Sequence, residues 1–366
     1  MGYIVDRRKR RRLGAMLVCA VLTAVGAAAA AAEAPHNETG DTAGPADVAA
    51  PAVTHVVAIS VDALNPDAIR QLGRERVPNF YRMIDEGAGT LNARTIRTSC
   101  STLPNHVSMV TGREKEDNGS YHGHHVRLNN YQTNTIHDIA GERVASVLSV
   151  VHDAGGRTAF YSPKPKFELI DRSWNQANGA RDRVGPDNGR DKIDVFVRAP
   201  EATLVADLRQ RLRDNPPAFS FLHLAQPDHV GHATHDFMGP EYLDAVEEVD
   251  GILGRVFRRI TNDPGLARHT TVLLVGDHGG LGDKHTPIHD PDNYTVPFLT
   301  WGAGVASGAD LYDLNGDRQD PGTLRPDYDG VQPVRNAEIG NLATDLLGMP
   351  PIGRSQMNNT QTLDVR

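Results

Sequence analysis

The chain has 366 residues, of which 39% are hydrophobic, and its 46 acidic and 38 basic side chains give a formal charge of −8. This length can bury a large core, either as one α/β domain or as two smaller domains. Because the net charge is negative, the surface has no long-range attraction for nucleic acid or for an anionic membrane. The composition therefore excludes a nucleic-acid polymer as the expected partner.

The N-terminal segment has the pattern of a secretory signal peptide. A basic head at 7–12 precedes the apolar run Leu13–Ala32, and small residues at 30–34 suit cleavage. We therefore predict a signal peptide at 1–34 and bacterial-type export by the general or the twin-arginine route. The expected location is secreted, extracellular or in the cell envelope, with no stable membrane span after signal removal. Only Cys100 then remains, so no intrachain disulfide is expected.

Beyond the signal peptide, residues 35–53 lack periodicity and are predicted to be a disordered linker, followed by a single catalytic domain at 54–366. In chain order, apolar runs predict strands at Val56–Val61, Gly89–Thr95, Thr158–Ser162, Ala218–Ala225, Thr270–Val275 and Val296–Trp301. Helices are predicted at Val77–Glu86, from about Thr102 to Thr111, and at Arg143–Ala154, Ala202–Arg213, Pro240–Thr261 and Asn336–Leu347. Long loops are predicted at 112–141, 163–192 and 303–334. This alternation predicts an α/β fold with a mostly parallel central sheet and helices on both faces.

Acidic and histidine side chains follow three of the predicted strands. Asp62 ends the first strand, the segment QPDHVGH follows the fourth, and GDHGG follows the fifth. In open α/β sheets, ligands bind in the crevice outside the carboxyl ends of the strands. Carboxylates and imidazoles that converge there suit a pair of divalent cations, for which Zn²⁺ is our prediction.

The spacing within these segments allows more than one interpretation. Asp228 and His232 are four positions apart, which on a helix turn lets both face one ion, although a helix cap with a surface histidine would look the same. Asp277 and His278 are adjacent and can bind one metal only if the chain turns, as the neighbouring glycines permit.

The order of five motifs resembles the alkaline phosphatase superfamily, and within it the nucleotide pyrophosphatase/phosphodiesterase-like branch. The motifs are VDAL, STLPNH with a later TG, PDHVGH, GDHGG with a downstream histidine, and VPFLTWGAG, spread between about residues 54 and 350. The resemblance implies an alkaline phosphatase-like fold and two Zn²⁺ ions that flank a nucleophilic hydroxyl at a helix N-terminus.

Carried over by motif, the resemblance implies two sets of metal ligands. One ion would take Asp228, His232 and a histidine after the DHGG segment, where His285 is preferred and His289 stays open. The other ion would take Asp62, Thr102, Asp277 and His278.

Thr102 aligns with the family nucleophile, because it stands immediately before Leu-Pro-Asn. Coordination to Zn²⁺ would favour the alkoxide, and the helix N-terminus would attract the phosphate. Ser99 and Ser101 are the rival hydroxyls. Asn105 resembles the family asparagine that hydrogen-bonds a phosphoryl oxygen, although it could equally be a polar residue on the helix surface.

The implied reaction is double displacement on a small-molecule phosphate ester through a phospho-threonine, with retention at phosphorus. We expect a phosphodiesterase or nucleotide pyrophosphatase; the alternatives are a phosphomonoesterase, a phosphonate-ester hydrolase or a non-catalytic exported binding protein. Sulfatase chemistry is disfavoured, because Cys100 has no proline two residues on and no arginine four residues on. The leaving group and the oligomeric state stay open.

Three further features carry weaker predictions. The stretch 121–125 is rich in histidine and is interpreted as a pocket rim rather than as metal ligands. Lys164 and Lys166 follow a strand and could meet a phosphate or lie in a solvated loop. The alternate oxygens of Asp313, Asn315 and Asp317 have calcium-loop spacing, but Arg318 replaces the expected glycine.

Overall fold

The computed structural model of the chain describes residues 3–6, 53–182, 184 and 189–366. The predicted signal peptide and linker fall almost wholly outside these residues and stay predictions. Of that segment, Tyr3–Asp6 is described as a short strand (β1) that pairs antiparallel with Val195–Arg198. No helix in the described ranges is long and apolar enough to span a bilayer.

The described residues form one nine-stranded sheet. After β1, its strands in chain order are β2 (His55–Val61), β3 (Ala88–Arg94), β4 (Thr158–Tyr161), β5 (Val195–Arg198), β6 (Phe219–Leu224), β7 (Thr270–Gly276), β8 (Thr295–Gly302) and β9 (Ala309–Asp310). In space the order is β1-β5-β4-β6-β2-β7-β8-β3-β9. The run from β5 to β7 is parallel, whereas β8 is antiparallel to both β7 and β3. The predicted mostly parallel sheet is confirmed.

Helices connect the strands and cover the sheet. They are α1 (Pro66–Arg76), α2 (Pro78–Glu86), α3 (Thr102–Thr111), α4 (Ile136–Ala140), α5 (Val147–Asp153), α6 (Glu168–Trp174), α7 (Glu201–Asp214), α8 (Gln226–Thr234), α9 (Pro240–Thr261), α10 (Pro264–His269), α11 (Pro291–Tyr294), α12 (Leu311–Leu314) and α13 (Ile339–Leu346). Short 3₁₀ turns at Pro165–Phe167 and Asn336–Glu338 lead into α6 and α13.

Both faces of the sheet are buried, as β2 shows. Val57, Ile59 and Val61 pack into a cluster with α1, α2, α7 and α9. Val56 and Ala58 point the other way, into a cluster with α3, α5, α6 and α13. Because successive side chains of a strand alternate between faces, a strand covered on both sides must be apolar throughout. This explains the unbroken apolar runs in the sequence.

Two helix predictions need correction. The helix predicted at Arg143–Ala154 begins only at Val147, because Ser146 caps it and accepts a hydrogen bond from Ser149 N. Helix α1 was not predicted; it begins at Pro66 after Asn65, whose side chain accepts from Asp67 N at 2.9 Å. The predicted loops 112–141 and 163–192 also contain the short helices α4 and α6.

Candidate active site

Three carboxylates meet at the carboxyl edge of neighbouring parallel strands. Asp62 directly follows β2, Asp277 directly follows β7, and Asp228 lies in the first turn of α8, which begins just after β6. Because β6, β2 and β7 are adjacent and parallel, their ends lie side by side. All three side chains are buried, Asp62 and Asp277 completely.

The first predicted ligand set is brought together around Asp228. His232, one helical turn further along α8, places Nε2 at 3.3 Å from Asp228 Oδ1. His285 Nε2 lies 3.6 Å from the same oxygen and 2.9 Å from His232 Nε2. His285 is buried, whereas His289 is exposed. The structure therefore places His285 at this cluster, in agreement with the preference stated from the sequence.

The second predicted set converges on Asp62. His278 Nε2 lies 3.3 Å from Asp62 Oδ1 and 3.4 Å from Asp277 Oδ2. The Thr102 hydroxyl donates to Asp62 Oδ1 at 3.4 Å. The other oxygen of Asp277 is fixed by the backbone: Oδ1 accepts hydrogen bonds from Ala63 N at 3.0 Å and from His278 N at 2.9 Å. His278 Nδ1 donates to the carbonyl of Gly279 at 2.9 Å, which orients the ring so that Nε2 faces the two carboxylates.

These residues fit divalent cations by an observation that does not depend on the motifs. Within the described part of the chain, the buried atoms Asp228 Oδ1, Asp277 Oδ2 and His278 Nε2 have no hydrogen-bond partner. Buried polar atoms without partners are rare in folded proteins, and carboxylate oxygens with imidazole nitrogens are the donors that Zn²⁺ accepts. Two groups have ligand atoms within 4.8 Å of one another: Asp62 with Asp277 and His278, and Asp228 with His278 and His285.

The grouping differs from the predicted partition at two residues, His278 and His232. His278 was assigned to the ion with Asp62, yet it belongs to both groups, and its ring stacks on that of His285 with centroids 4.0 Å apart. His232 contacts Asp228 and His285 but is about half exposed. The two groups are therefore contiguous, with the imidazole of His278 between them.

The rival hydroxyls separate clearly in the structure. Thr102 is the first residue of α3, is buried, and is the hydroxyl that contacts Asp62. Ser99 Oγ accepts from Ser101 N at 3.2 Å, and Ser101 precedes the helix as its N-cap residue. Asn129, which sequence reasoning did not select, accepts from Leu103 N at 2.9 Å beside Thr102.

Asn105 is fully hydrogen-bonded within the fold. Its Nδ2 donates to the carbonyls of Ser99 and Ser101, both at 3.1 Å, and its Oδ1 accepts from Asn336 Nδ2 at 3.2 Å and Ile96 N at 3.3 Å. The side chain clamps the loop that leads into Thr102. The predicted contact with a phosphoryl oxygen would require one of these donors to be released, and it stays a prediction.

Lys164 joins the two ligand sets. Its ammonium contacts Asp62 Oδ2 and lies 2.5 Å from Asp228 Oδ2, and its side chain is almost completely buried. Burial opposes the charged form, but the two carboxylates raise the pKa of Lys164 above its ordinary value. Lys164 therefore lies inside the cluster rather than in a solvated loop, and its predicted contact with a substrate phosphate stays a prediction.

The surplus of negative charge changes the ionisation of Asp277. Burial and the nearby charge of Asp62 raise the pKa of Asp277 to about 8. Although burial opposes the charged ring, Asp277 and Asp62 raise the pKa of His278 to about 9, so without a metal ion this imidazolium and the Lys164 ammonium both face the carboxylates. A bound divalent cation would reverse the shift at Asp277.

Two buried histidines beneath the cluster were also missed. His223 on β6 places Nε2 at 3.4 Å from Asp62 Oδ2, and burial lowers the pKa of His223 to about 4. His106 on α3 pairs with Ser60 Oγ at 2.8 Å and with the carbonyl of Thr102 at 2.7 Å. A histidine in the middle of the apolar strand FSFLHL is the sequence signal that could have identified the first of them.

The remaining sequence features lie elsewhere. His124, from the histidine-rich stretch, is held by Ser108 Oγ at 2.9 Å and Val126 N at 3.0 Å. Asn315 Oδ1, the atom that would bind a calcium ion, accepts from Asp364 N at 2.6 Å, and Nδ2 donates to the carbonyls of Leu311 and Asp364 at 2.8 Å, so the side chain is used within the fold.

Comparisons with known proteins agree with this architecture. A family model described as type I phosphodiesterase / nucleotide pyrophosphatase matches residues 56–292. Two solved structures share the fold: murine ectonucleotide pyrophosphatase/phosphodiesterase 5 (TM-score 0.54, 12% identity, 85% of this chain and 99% of that one) and a 2-O GAG sulfatase (TM-score 0.57, 14% identity, 85% and 74%). The predicted superfamily and fold are confirmed.

Among curated proteins, the chain is 29% identical over 339 residues to GPI ethanolamine phosphate transferase 1 of Mus musculus, covering 85% of this chain and 34% of that protein. The matches span from 15 to 34% of the length of the first such relatives. The predicted secreted or cell-envelope location is wrong on this finding, because these relatives are GPI ethanolamine phosphate transferases rather than secreted hydrolases.

Proposed function

Because the chain belongs to the type I phosphodiesterase / nucleotide pyrophosphatase family and so acts on phosphoesters, we propose that it cleaves phosphodiester or pyrophosphate bonds by attack of Thr102. The observation that carries this proposal is the contact between the Thr102 hydroxyl and Asp62 at the N-terminus of α3. The hydroxyl lies beside buried carboxylates and an imidazole with unpaired lone pairs. A nucleophile, an activating environment and a helix N-terminus thus meet at one point.

The proposed centre would hold two divalent cations, Zn²⁺ in our proposal. One would be bound by Asp228, His232 and His285, and the other by Asp62, Thr102, Asp277 and His278. When bound, the cations supply positive charge that favours the alkoxide and offsets charge on the phosphoryl oxygens. His278 adjoins both ligand groups, so its loss is expected to weaken both.

The residues of the chain divide the reaction into two displacements. Asp62 Oδ1 accepts the hydrogen bond of the Thr102 hydroxyl and so orients Oγ. Thr102 Oγ attacks phosphorus in line, the bond to the leaving oxygen breaks, and a phospho-threonine forms. Water then attacks the same phosphorus and restores the hydroxyl. Two inversions give net retention at phosphorus.

A second candidate function is transfer rather than hydrolysis. The curated relatives are named ethanolamine phosphate transferases, and the same phospho-threonine would serve if an alcohol replaced water in the second displacement. The acceptor distinguishes the two functions, since the first displacement is identical. Because the chain spans only 15 to 34% of the length of these relatives, their complete activity is a proposal for this chain.

The test is hydrolysis of bis-p-nitrophenyl phosphate against p-nitrophenyl phosphate, with added Zn²⁺ and after chelation. We expect cation-dependent turnover with preference for the diester. Preference for the monoester would instead indicate a phosphomonoesterase. A phosphonate ester assayed in parallel and cleaved faster than both would indicate a phosphonate-ester hydrolase. Repeating the reaction with a primary alcohol and resolving products by ³¹P NMR separates transfer from hydrolysis.

A further inference from the structure

Lys164 contacts the two cation-ligand groups in a way that the proposed function does not require. It lies after β4, where its backbone N donates to Ser162 Oγ at 3.2 Å and a 3₁₀ turn follows at Pro165–Phe167. Its ammonium bridges Asp62 and Asp228, which were assigned to different ions. The side chain is 8% exposed, so water does little to screen these charges.

The contacts divide the oxygens of each carboxylate. On Asp62, Oδ2 faces Lys164, whereas Oδ1 faces Thr102 and His278. On Asp228, Oδ2 faces Lys164, whereas Oδ1 faces the ring nitrogens of the histidines after it. The ammonium therefore does not occupy either group of converging ligand atoms. It contacts Oδ2 of each carboxylate and leaves Oδ1 of each for a cation.

We propose that Lys164 is a positioning residue and the built-in counter-cation of this centre: it stabilises the cation-free fold and at the same time weakens the affinity for divalent cations. This inference rests on the proposed cation centre. Without the ammonium, Asp62 and Asp228 would face each other as buried, uncompensated charges, which destabilises the cation-free protein. With the ammonium in place, its positive charge repels a divalent cation that binds beside it, which weakens the affinity.

Two effects of Lys164 on affinity oppose each other, and their magnitudes decide the sign. A unit charge about 4 Å from a partly buried ionic site changes binding there by about 10³-fold. Loss of an outer partner that orients a ligand typically costs about 10- to 100-fold in metal affinity. The charge effect is larger, so removal of the ammonium should tighten Zn²⁺ binding by about 10-fold or more.

The experiment uses Lys164→Met and Lys164→Gln in the full chain, stripped by chelation and titrated with Zn²⁺ against a chromophoric chelator, with thermal melting of both forms. Glutamine keeps hydrogen-bond donors and loses the charge, so it separates charge from orientation. The comparison variant is Lys166→Met, since Lys166 lies in the same segment and is half-buried, but acts on Asp62 and Asp228 only through the longer-range effect of its charge.

We expect both Lys164 variants to melt lower than wild type without Zn²⁺ and to bind Zn²⁺ more tightly, while Lys166→Met changes both properties much less. The opposite movement of stability and affinity is a signature that a merely structural lysine would not give. Unchanged or weaker Zn²⁺ affinity in Lys164→Gln, which can fold with its hydrogen bonds intact, overturns the inference alone. A wild-type chain that binds no Zn²⁺ overturns the proposed centre as well.

Discussion

Two clusters in this protein share a composition and differ in their burial and in the carboxylate oxygens that they leave unpaired. The carboxyl-edge centre contains Asp62, Asp228, Asp277, His278 and His285, bridged by Lys164. The α5 cluster contains His152, Asp153, Asp182 and Lys192. In each, a buried lysine bridges two aspartates beside a histidine. The ligand atoms of the α5 cluster also lie close enough together to hold an ion.

In the α5 cluster, however, the carboxylates are paired. Asp182 Oδ2 contacts both Lys192 Nζ at 3.0 Å and His152 Nδ1 at 3.1 Å, and Asp153 is about half exposed. His152 Nε2 has no hydrogen-bond partner in the described structure, so an unpaired imidazole nitrogen alone does not mark a cation site. At the carboxyl-edge centre a third carboxylate, Asp277, is completely buried and has an unpaired oxygen. Residue types therefore do not distinguish a cation site from an internal ion pair; a buried carboxylate oxygen without a partner does.

The largest effect is expected from Thr102→Ala. Because the hydroxyl is the proposed nucleophile, its loss should lower kcat by about 10³-fold or more, while most bound Zn²⁺ remains on the other ligands. Turnover of bis-p-nitrophenyl phosphate and metal content of the purified variant measure the two effects.

The matched control for Thr102 is Ser101→Ala. Ser101 adjoins the nucleophile but uses its backbone in the contacts with Asn105 and Ser99. We expect kcat of this variant to stay within a few-fold of wild type. Loss of activity in Ser101→Ala together with survival in Thr102→Ala would move the nucleophilic role to the serine.

The second prediction separates the two clusters directly by their metal content. Asp277→Asn keeps a carbonyl oxygen that accepts from Ala63 N and His278 N, but it removes the negative charge. Zn²⁺ affinity should therefore fall by at least about 10²-fold, which is the upper end of the loss caused by removing a residue that only orients a metal ligand. Asp153→Asn should leave affinity unchanged. Equilibrium dialysis of both variants measures this, and a loss of Zn²⁺ in Asp153→Asn would show that the α5 cluster binds the ion.

Much of the fold follows from local pattern. Val56–Val61 and Thr270–Val275 are apolar at every position because both faces of the sheet are covered, and the structure confirms both strands. Asp62, Asp228 and Asp277 could be placed together because parallel strands end at one edge. Strand β5 was missed, since Val195–Arg198 is only four residues long and follows a polar stretch.

The parts that sequence could not supply depend on tertiary contacts. Lys164 is 102 positions from Asp62, and nothing in SPKPKF indicates that its ammonium reaches two buried carboxylates. Likewise Asn105 hydrogen-bonds the loop before α3 and also Asn336, which is 231 positions away, so its role in holding the fold could not be predicted from its place in the motif. Local sequence patterns predict where the site residues lie. Contacts between residues far apart in the chain decide which of their donors and acceptors stay available to a ligand.

The third prediction tests whether Lys192 is an internal counter-ion. Lys192→Met leaves the buried carboxylate of Asp182 without its ammonium partner. The free energy of unfolding should fall by about 3 kcal/mol, the low end of the range for a broken buried ion pair, because the other partner, Asp153, is half exposed. Urea denaturation measures the change, with Lys284→Met as an exposed control expected to shift stability by under about 0.5 kcal/mol. If saturating Zn²⁺ restored the lost stability, the α5 cluster would bind a cation once its lysine is gone.

The smallest effect concerns a histidine whose nitrogens, unlike those of His223, are both paired. Burial lowers the pKa of His124 from 6.5 to about 3, and its Nδ1 accepts from Val126 N, which requires the neutral ring. Below pH 6.5 the unfolded chain takes up a proton that the folded chain refuses. His124 therefore lowers the free energy of unfolding by up to about 1.4 kcal/mol per pH unit as pH falls from 6.5 towards 3.

The variant His124→Gln isolates this contribution, because glutamine keeps a donor and an acceptor but does not titrate. At pH 7 it should be less stable than wild type by about 1 kcal/mol, the typical value of a buried hydrogen bond. The difference should shrink or reverse by pH 5, since only wild type loses stability through this residue on acidification. Urea midpoints at both pH values, with and without Zn²⁺, measure it. A difference independent of pH would mean that His124 titrates equally in the folded and unfolded chain, and a difference abolished by Zn²⁺ would couple this paired histidine to the carboxyl-edge centre.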